Sequence, residues 1–374
     1  MIPDRRKDIL GVMWRALVCL LAGCSVFSSH PSRDNDDLDA AIGDPPNADP
    51  DGDGIYNAYD NCPRASNADQ ADANKDGIGD ACEHGIPYDY DGDGNADHGV
   101  YNPTSGTWTI RRSRDGDTSF KTGGTGQPVP QDYDGDGRYD AALYNAGTWF
   151  LRVGTTVTMD QLGNASETPV PADYDGDGKA DLATFLPSAC RWTVKRSFDG
   201  QITTFTFPDP CVDQPGIRAR PLFGDHDHDG TFDFNVYAGS TTTPDFFLRS
   251  SRGGYSVSVD WGVPDDIPSL HDYNGDGHLD FVAVRLEANS SYTFFTLYFG
   301  SALFGTKPLG ASPDVPVTAD YDGDGMDDLA VYHSSTQSFE IAPGGPNGTT
   351  IDTVLLSTGT AGDVPINTGP EFGQ

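Results

Sequence analysis

Short apolar runs of about four residues punctuate this sequence at regular intervals, set apart by Gly, Pro, Asp and Asn. The clearest are residues 141–144, 182–185, 234–237, 281–284 and 329–332. Near-continuous apolar character over so short a length predicts a strand covered on both faces. About ten residues further on comes a run that carries an aromatic: Trp108, Trp149, Trp192, Phe246, Tyr292 or Phe339. A Thr-rich stretch follows, such as 202–207, and a short Pro-containing stretch (Pro128, Pro169, Pro221, Pro268, Pro316) opens the next unit. Each unit therefore predicts four short antiparallel strands. Because the aromatics recur at a fixed place, they read as packing between units rather than as a sugar-binding surface.

Four residues after each Pro begins an acidic turn, D-x-[DN]-x-D-G-x-x-D, and the turn occurs six times. Its acids are Asp89, Asp91, Asp93 and Asp97 in the first copy, Asp132, Asp134, Asp136 and Asp140 in the second, and Asp173, Asp175, Asp177 and Asp181 in the third. The fourth has Asp225, Asp227, Asp229 and Asp233, the fifth Asp272, Asn274, Asp276 and Asp280, and the sixth Asp320, Asp322, Asp324 and Asp328. Ca²⁺ takes six to eight oxygen ligands in flexible geometry, which alternating carboxylates on a tight loop supply. Gly at position 6 permits the sharp turn. An EF-hand also needs an acid at position 12, where this chain has Val100, Leu143, Thr184, Val236, Ala283 and Val331. The loops are thus expected at hairpin tips rather than between helices, with the side chains of positions 2 and 4 pointing outward. The plain alternative is six solvated Asp-Gly turns, and mutual repulsion among so many acids speaks against it.

Successive first Asp positions lie 43, 41, 52, 47 and 48 residues apart, a blade-sized period. The expected fold class is all-β, a β-propeller of six blades over residues 85–362, with seven blades as the alternative and an open β-solenoid third. Residues 363–366 start a unit again, but Gly369 stands where its first Asp would fall, so 363–374 reads as a closing strand or tail. The units resemble the FG-GAP or VCBS repeats of bacterial surface proteins and integrin heads, across about three-quarters of the chain. That resemblance implies Ca²⁺ bound on one rim of a propeller.

Charge changes the picture of partners. Against 23 Lys and Arg stand 57 Asp and Glu, a net charge of −34, and 23 of those acids are the loop acids above. Nucleic acid is not an expected partner for such a surface. No G-x-S-x-G, H-E-x-x-H, Gly-rich phosphate loop or C-x-x-C occurs. His226 and His228 cluster within the fourth loop and raise the alternative of a transition-metal site. Paired Asp residues could serve glycoside hydrolysis, but metal ligation already accounts for them, so a non-enzymatic role is expected.

The remaining chain lies before the repeats. Residues 1–23 read as a secretory signal, with Arg5, Arg6, Lys7 and Arg15 ahead of a short apolar run. Leu21-Ala22-Gly23-Cys24 resembles the lipobox of bacterial lipoproteins. That implies a diacylglycerol on Cys24 and a protein held on the membrane, with Ser25 permitting outer-membrane sorting; an ordinary signal peptide is the alternative. Residues 24–46 are polar and expected to form a disordered tether.

Residues 47–84 carry two further acidic patterns. One has oxygen ligands at Asp49, Asp51, Asp53, Asn57 and Asp60, the other at Asp72, Asn74, Asp76, Asp80 and Glu83. With Asp60-Asn61-Cys62-Pro63 and Gly79-Asp80-Ala81-Cys82 in place, the stretch resembles the thrombospondin type 3 repeat. The resemblance implies a segment wrapped around Ca²⁺ and stapled by a disulfide. Ile55 and Ile78 are its only aliphatic residues larger than Ala. Setting Cys19 aside with the signal and Cys24 with the lipid, the other cysteines divide into Cys62–Cys82 and Cys190–Cys211, as an oxidising compartment allows. The expected whole is a secreted, lipid-anchored Ca²⁺-binding protein at the bacterial cell surface. Its propeller would bind an unknown protein or glycan ligand in an adhesive role. The alternatives are a carbohydrate-binding propeller, a hydrolase acting on polysaccharide, and a passive spacer.

Overall fold

The computed structural model describes residues 27–29, 48–73, 77–82, 85–207, 219–239, 244–252, 256–263, 265–300, 304–343, 352–356, 360 and 362–368. Among them there is no helix, and the strands form six antiparallel sheets arranged as a six-bladed β-propeller. In blades 2 to 6 the four strands run in chain order. Blade 2, for example, is Gln127–Pro128, Ala141–Asn145, Thr148–Val153 and Thr156–Gln161. The first strand is two residues long in blades 2, 3 and 6, and the second is buried nearly throughout. Fourth strands such as Gly116–Lys121 and Thr156–Gln161 are largely exposed and form the perimeter.

Blade 1 takes its first strand from the far end of the chain. Val364–Pro365 pairs with the second strand His98–Asn102, Pro365 opposite Val100 and Val364 opposite Tyr101. Six blades therefore close with no seventh, and Ile366 is fully buried in the core beside that seam. Blade 4 carries a fifth strand: Phe27–Ser29 pairs with Val257–Val259 of the outer strand Ser256–Asp260. These three residues fall within the stretch that composition reads as a tether. An unpaired outer edge offers N–H and C=O groups that any extended chain can complete, which polarity alone does not reveal.

Hydrophobic packing lies between blades. Each of the six core clusters draws on neighbouring sheets, such as Tyr174, Trp192 and Phe205 of blade 3 with Phe234 and Val236 of blade 4. Trp108, Trp149, Trp192, Phe246 and Phe339 are fully buried, as expected for packing between units. Each sits opposite an aromatic of the second strand, as Tyr144 opposite Trp149 and Tyr332 opposite Phe339. Blade 5 departs from the expected assignment. Its second strand Asp280–Leu286 runs on to pair Leu286 with Tyr292, so the residue opposite Val284 is Phe294. A fixed residue count does not find this, because the hairpin runs two pairs beyond Val284, where those of blades 1, 2, 3 and 6 run one pair beyond the aromatic.

Candidate metal centres

Five of the acidic loops join the first strand of a blade to its second, and loop 1 leads into the second strand of blade 1, so all six lie at the same end of the second strands and share one rim. Each is wound around its own carboxylates. The position-1 Asp accepts the amides of positions 4 and 6, one on each oxygen, at 2.6–2.9 Å in every loop. Position 5 accepts the amide of position 7, as Asp93 does from Asn95 at 3.0 Å. The position-9 Asp accepts the position-2 amide on Oδ2 in all six. Turns of this kind hold carboxylates in place before any ligand arrives.

Position 2 corrects the expectation of outward side chains. Tyr174, Tyr273, Tyr321 and His226 are buried, and Tyr174 stacks on Phe234 with centroids 5.1 Å apart. The amide at that position is tied to the position-9 Asp, which turns the side chain into the inter-blade core. Position 4 follows the expectation where it carries a side chain, since His228 is exposed. His228 also has φ 61°, a left-handed conformation that the other five loops fill with Gly.

Two supports were not read from the sequence. First, the position-8 amide of one loop donates to the position-1 carbonyl of the preceding loop. Ala96 donates to Asp320, Tyr139 to Asp89, Ala180 to Asp132, Phe232 to Asp173 and Asp327 to Asp272, each at 2.7 Å. The loops thereby link into a chain around the rim. Nothing in the side chain at position 8 signals a backbone bond. Second, the turn between third and fourth strands closes over the loop. Ser113 N–H donates to Asp97 Oδ1 at 2.7 Å and its hydroxyl to Asp93 Oδ2 at 2.8 Å. Ser197 serves Asp181 and Asp177 in the same way, and Ser251 N–H serves Asp233. A Ser recurring 16 to 18 residues after the position-9 Asp was the available signal.

Position 3 is what the protein leaves incomplete. Asp91 and Asp175 are buried, at 0% and 1% exposure, and Asp91 Oδ1 and both oxygens of Asp175 lack a hydrogen-bond partner among the described residues. Buried carboxylate oxygens without partners are costly, so the donor set fits a cation. Ligand oxygens of Asp89, Asp91 and Asp97, of Asp173, Asp175 and Asp181, and of Asp132, Asp134 and Asp136 each lie within 4.8 Å of one another. The same holds for His226, Asp227 and Asp233, with His226 Nδ1 2.7 Å from Asp233 Oδ2.

Burial, and then neighbouring carboxylates, push several loop acids up from the ordinary Asp range. Asp140 and Asp225 reach about 7 this way. In Asp97 and Asp280 burial is likewise the main cause, to about 6 and about 7, with backbone amides pulling back. Asp175 reaches about 7, raised by burial and Asp177 and lowered by Arg64. Without a cation these five carboxyls would be protonated below about pH 6 to 7.

The segment before the propeller repeats the winding. Asp49 accepts the amides of Gly52 at 2.9 Å and Gly54 at 3.2 Å, and Asp49, Asp51 and Asp53 bring ligand oxygens together. Asp72 accepts the Gly77 amide at 3.2 Å and Asp80 the Ala73 amide at 2.7 Å. Asp60 accepts the Cys62 amide and the Gln70 side chain, each at 2.9 Å, leaving Oδ2 without a hydrogen-bond partner among the described residues. Cys62 and Cys82 form a disulfide. Cys190 is disulfide-bonded too, while Cys211, its expected partner, lies outside the described residues together with Cys24, Asn74, Asp76 and Glu83.

Comparison with known proteins follows the same division. A family model described as thrombospondin type 3 repeat matches residues 33–70 and 71–99, and one described as FG-GAP-like repeat matches 272–331. The second thrombospondin match runs over loop 1, whose acid spacing is that of residues 49–57 and 72–80. No curated relative matches the chain. Among solved structures it resembles TolB from Acinetobacter baumannii (12% identity, 72% of this chain and 66% of that one, TM-score 0.49). It also resembles an Agrocybe aegerita lectin described by its recognition of non-reducing terminal N-acetylglucosamine (14%, 74% and 83%, 0.47). A third is AofleA from Arthrobotrys oligospora (11%, 71% and 87%, 0.44).

Proposed function

We propose that this is a calcium-binding, non-enzymatic surface protein whose ions fix the rim loops and whose propeller presents a rigid face to a protein or glycan ligand. The observation that carries the reading is the buried position-3 carboxylate. Asp91 and Asp175 sit in wound loops with oxygens that accept no hydrogen bond among the described residues. Hard carboxylate oxygens on a preformed loop suit Ca²⁺ better than a softer metal. The ligands are the acids at positions 1, 3, 5 and 9 of each loop, with Asn274 in the fifth, and the two acidic patterns of residues 49–60 and 72–83. Counting ions by native mass spectrometry after passage through Ca²⁺ buffer tests this directly. A wild-type protein that carries no Ca²⁺ ends the reading.

The lipobox-like Leu21-Ala22-Gly23-Cys24 supports attachment to the bacterial outer membrane through a lipid on Cys24. Multiple acyl chains at one site anchor stably, since each buried CH₂ contributes about 0.8 kcal/mol. Cys24→Ala should release the protein from the membrane fraction, and unchanged retention speaks against the anchor. Surface partners are best sought by pull-down in Ca²⁺ and in chelator, because a rim held by ions should lose its ligand when they leave.

A further inference from the structure

The segment before the propeller lies on the rim that carries the acidic loops. Its contacts fall on the position-6 glycines of three consecutive loops. A Cβ on Gly178 would stand 3.0 Å from the Ala81 carbonyl oxygen, and one on Gly230 3.2 Å from Ile78 Cγ2. A Cβ on Gly85 would stand 2.5 Å from the carbonyl oxygen of Gly137. Ile78, Ala81 and Gly85 thus lie over loops 4, 3 and 2 in turn, and a side chain at Gly230, Gly178 or Gly85 would hold them off. No described residue of the segment makes such a contact with Gly94 of loop 1, Gly277 of loop 5 or Gly325 of loop 6. Among the described residues, the segment covers the half of the rim formed by loops 2 to 4.

At the middle of the covered half, Arg64 enters loop 3. Its guanidinium lies 3.9 Å from Asp175 Oδ2, with the two side chains 5% and 0% exposed. It also lies 5.9 Å from the Phe198 ring centroid, in the turn whose Ser197 holds Asp177 and Asp181. The segment and the loop therefore bury one another.

We propose that loops 2 to 4 form a docking face whose occupant is the chain's own thrombospondin-type segment, and that Asp175 is shared between Arg64 and the cation of loop 3, so that filling that loop and seating the segment favour each other. The docking stands on contacts alone; the coupling rests on the calcium reading. Its sign follows from desolvation, which outweighs the repulsion between the ion and the guanidinium. Seating the segment keeps water from the buried Asp173, Asp175 and Asp181 and the half-buried Asp177, and one guanidinium cannot offset that many carboxylates. Arg196 is already paired with Asp199. A divalent ion on the remaining oxygens removes most of that penalty, and with it the main obstacle to seating.

Hydrogen exchange on the full chain in millimolar Ca²⁺ tests both parts, with bound ions counted first by native mass spectrometry. Arg64→Ala and Ile78→Asp should each raise exchange in residues 77–82 by about tenfold, while blades 5 and 6 stay unchanged. Exchange within twofold of wild type in both variants overturns the docking. Asp175→Asn should loosen the segment as Arg64→Ala does, whereas Asp322→Asn in loop 6 should not. If those two variants behave alike, the coupling is overturned. A wild type carrying no Ca²⁺ ends the calcium reading and the coupling with it, and the Arg64 and Ile78 variants still decide the docking. Because Ile78 lies outside the propeller, that variant stays informative even if Asp175→Asn disturbs its own blade.

Discussion

The propeller buries six clusters of aromatic and aliphatic side chains between neighbouring sheets, whereas in residues 48–82 the buried apolar residues among those described are Cys62 and Cys82. Tyr56 and Tyr59, the largest apolar groups of the segment, are exposed. Yet both regions carry the same acid-wound turn. In the propeller that turn is held from outside by strand ends, by the Ser turns and by the 2.7 Å bonds from loop to loop. In the segment it is held chiefly by its own acids and one disulfide. A bound ion is therefore an addition to a folded domain in one region and close to the whole basis of folding in the other.

Removing Ca²⁺ is the largest test of that contrast. Extracellular modules bind Ca²⁺ with dissociation constants of about 10⁻⁴ to 10⁻³ M. At about tenfold excess each independent site adds about 1.4 kcal/mol, so six propeller sites add on the order of 8 kcal/mol. The melting temperature should fall on chelation, and residues 48–82 should lose exchange protection before the blades do. Identical melting curves in chelator and in millimolar Ca²⁺ would falsify the metal reading. Simultaneous loss in both regions would instead show that the contrast in core makes no difference.

Cutting the staple is the next largest. Cys82→Ser opens a loop of separation 20, worth about 3 kcal/mol by chain entropy. The effect should be confined to the segment: faster exchange there, and an unchanged main melting transition. A fall in propeller melting temperature of the same size would mean that the two regions stand or fall together.

How much of this was legible follows the physics of each feature. Period, strand content and the acidic loops were readable because local sequence fixes them: Asp-Gly turns, apolar runs such as 281–284, and a Pro at a set distance. The closing strand was visible as the fragment 363–366, since a blade lacking its first strand must find one. What stayed hidden depends on register or on backbone. Phe294 rather than Tyr292 faces Val284 because blade 5 has a longer hairpin. The burial of Tyr174 and His226 follows from an amide bond to the position-9 Asp, and the position-8 bonds between loops involve no side chain. Arg64 looked like one more polar residue; only its placement beside Asp175 gives it a role.

A smaller difference separates individual ligands. Asp177 accepts the Ser197 hydroxyl at 2.9 Å on both oxygens and the Lys179 amide at 2.9 Å. Asn274 accepts the Asp276 amide at 2.9 Å on Oδ1. Bonds to a charged group are worth about 1.5–3 kcal/mol and neutral ones about 0.5–1.5 kcal/mol. Asp177→Ala should therefore lower the melting temperature in Ca²⁺ more than Asn274→Ala. Equal shifts would show that charge at these positions is not used.

The test that separates protons from metal is the response to pH. In chelator the carboxyls of Asp140, Asp225 and Asp280 titrate near 7 in the folded protein, raised chiefly by burial. The unfolded chain releases the same protons near pH 4. Between those values the folded state binds more protons than the unfolded one, so its stability falls as pH rises. The contribution is complete below about pH 4 and gone once pH passes about 7. With Ca²⁺ present the sign reverses, because the ligands are ionised in the folded state and acid competes the ion away. Melting temperatures taken from pH 5 to 8 should thus decline in chelator and rise in Ca²⁺, the curves diverging toward alkaline pH. Parallel curves in the two buffers would place the metal somewhere other than on these carboxylates.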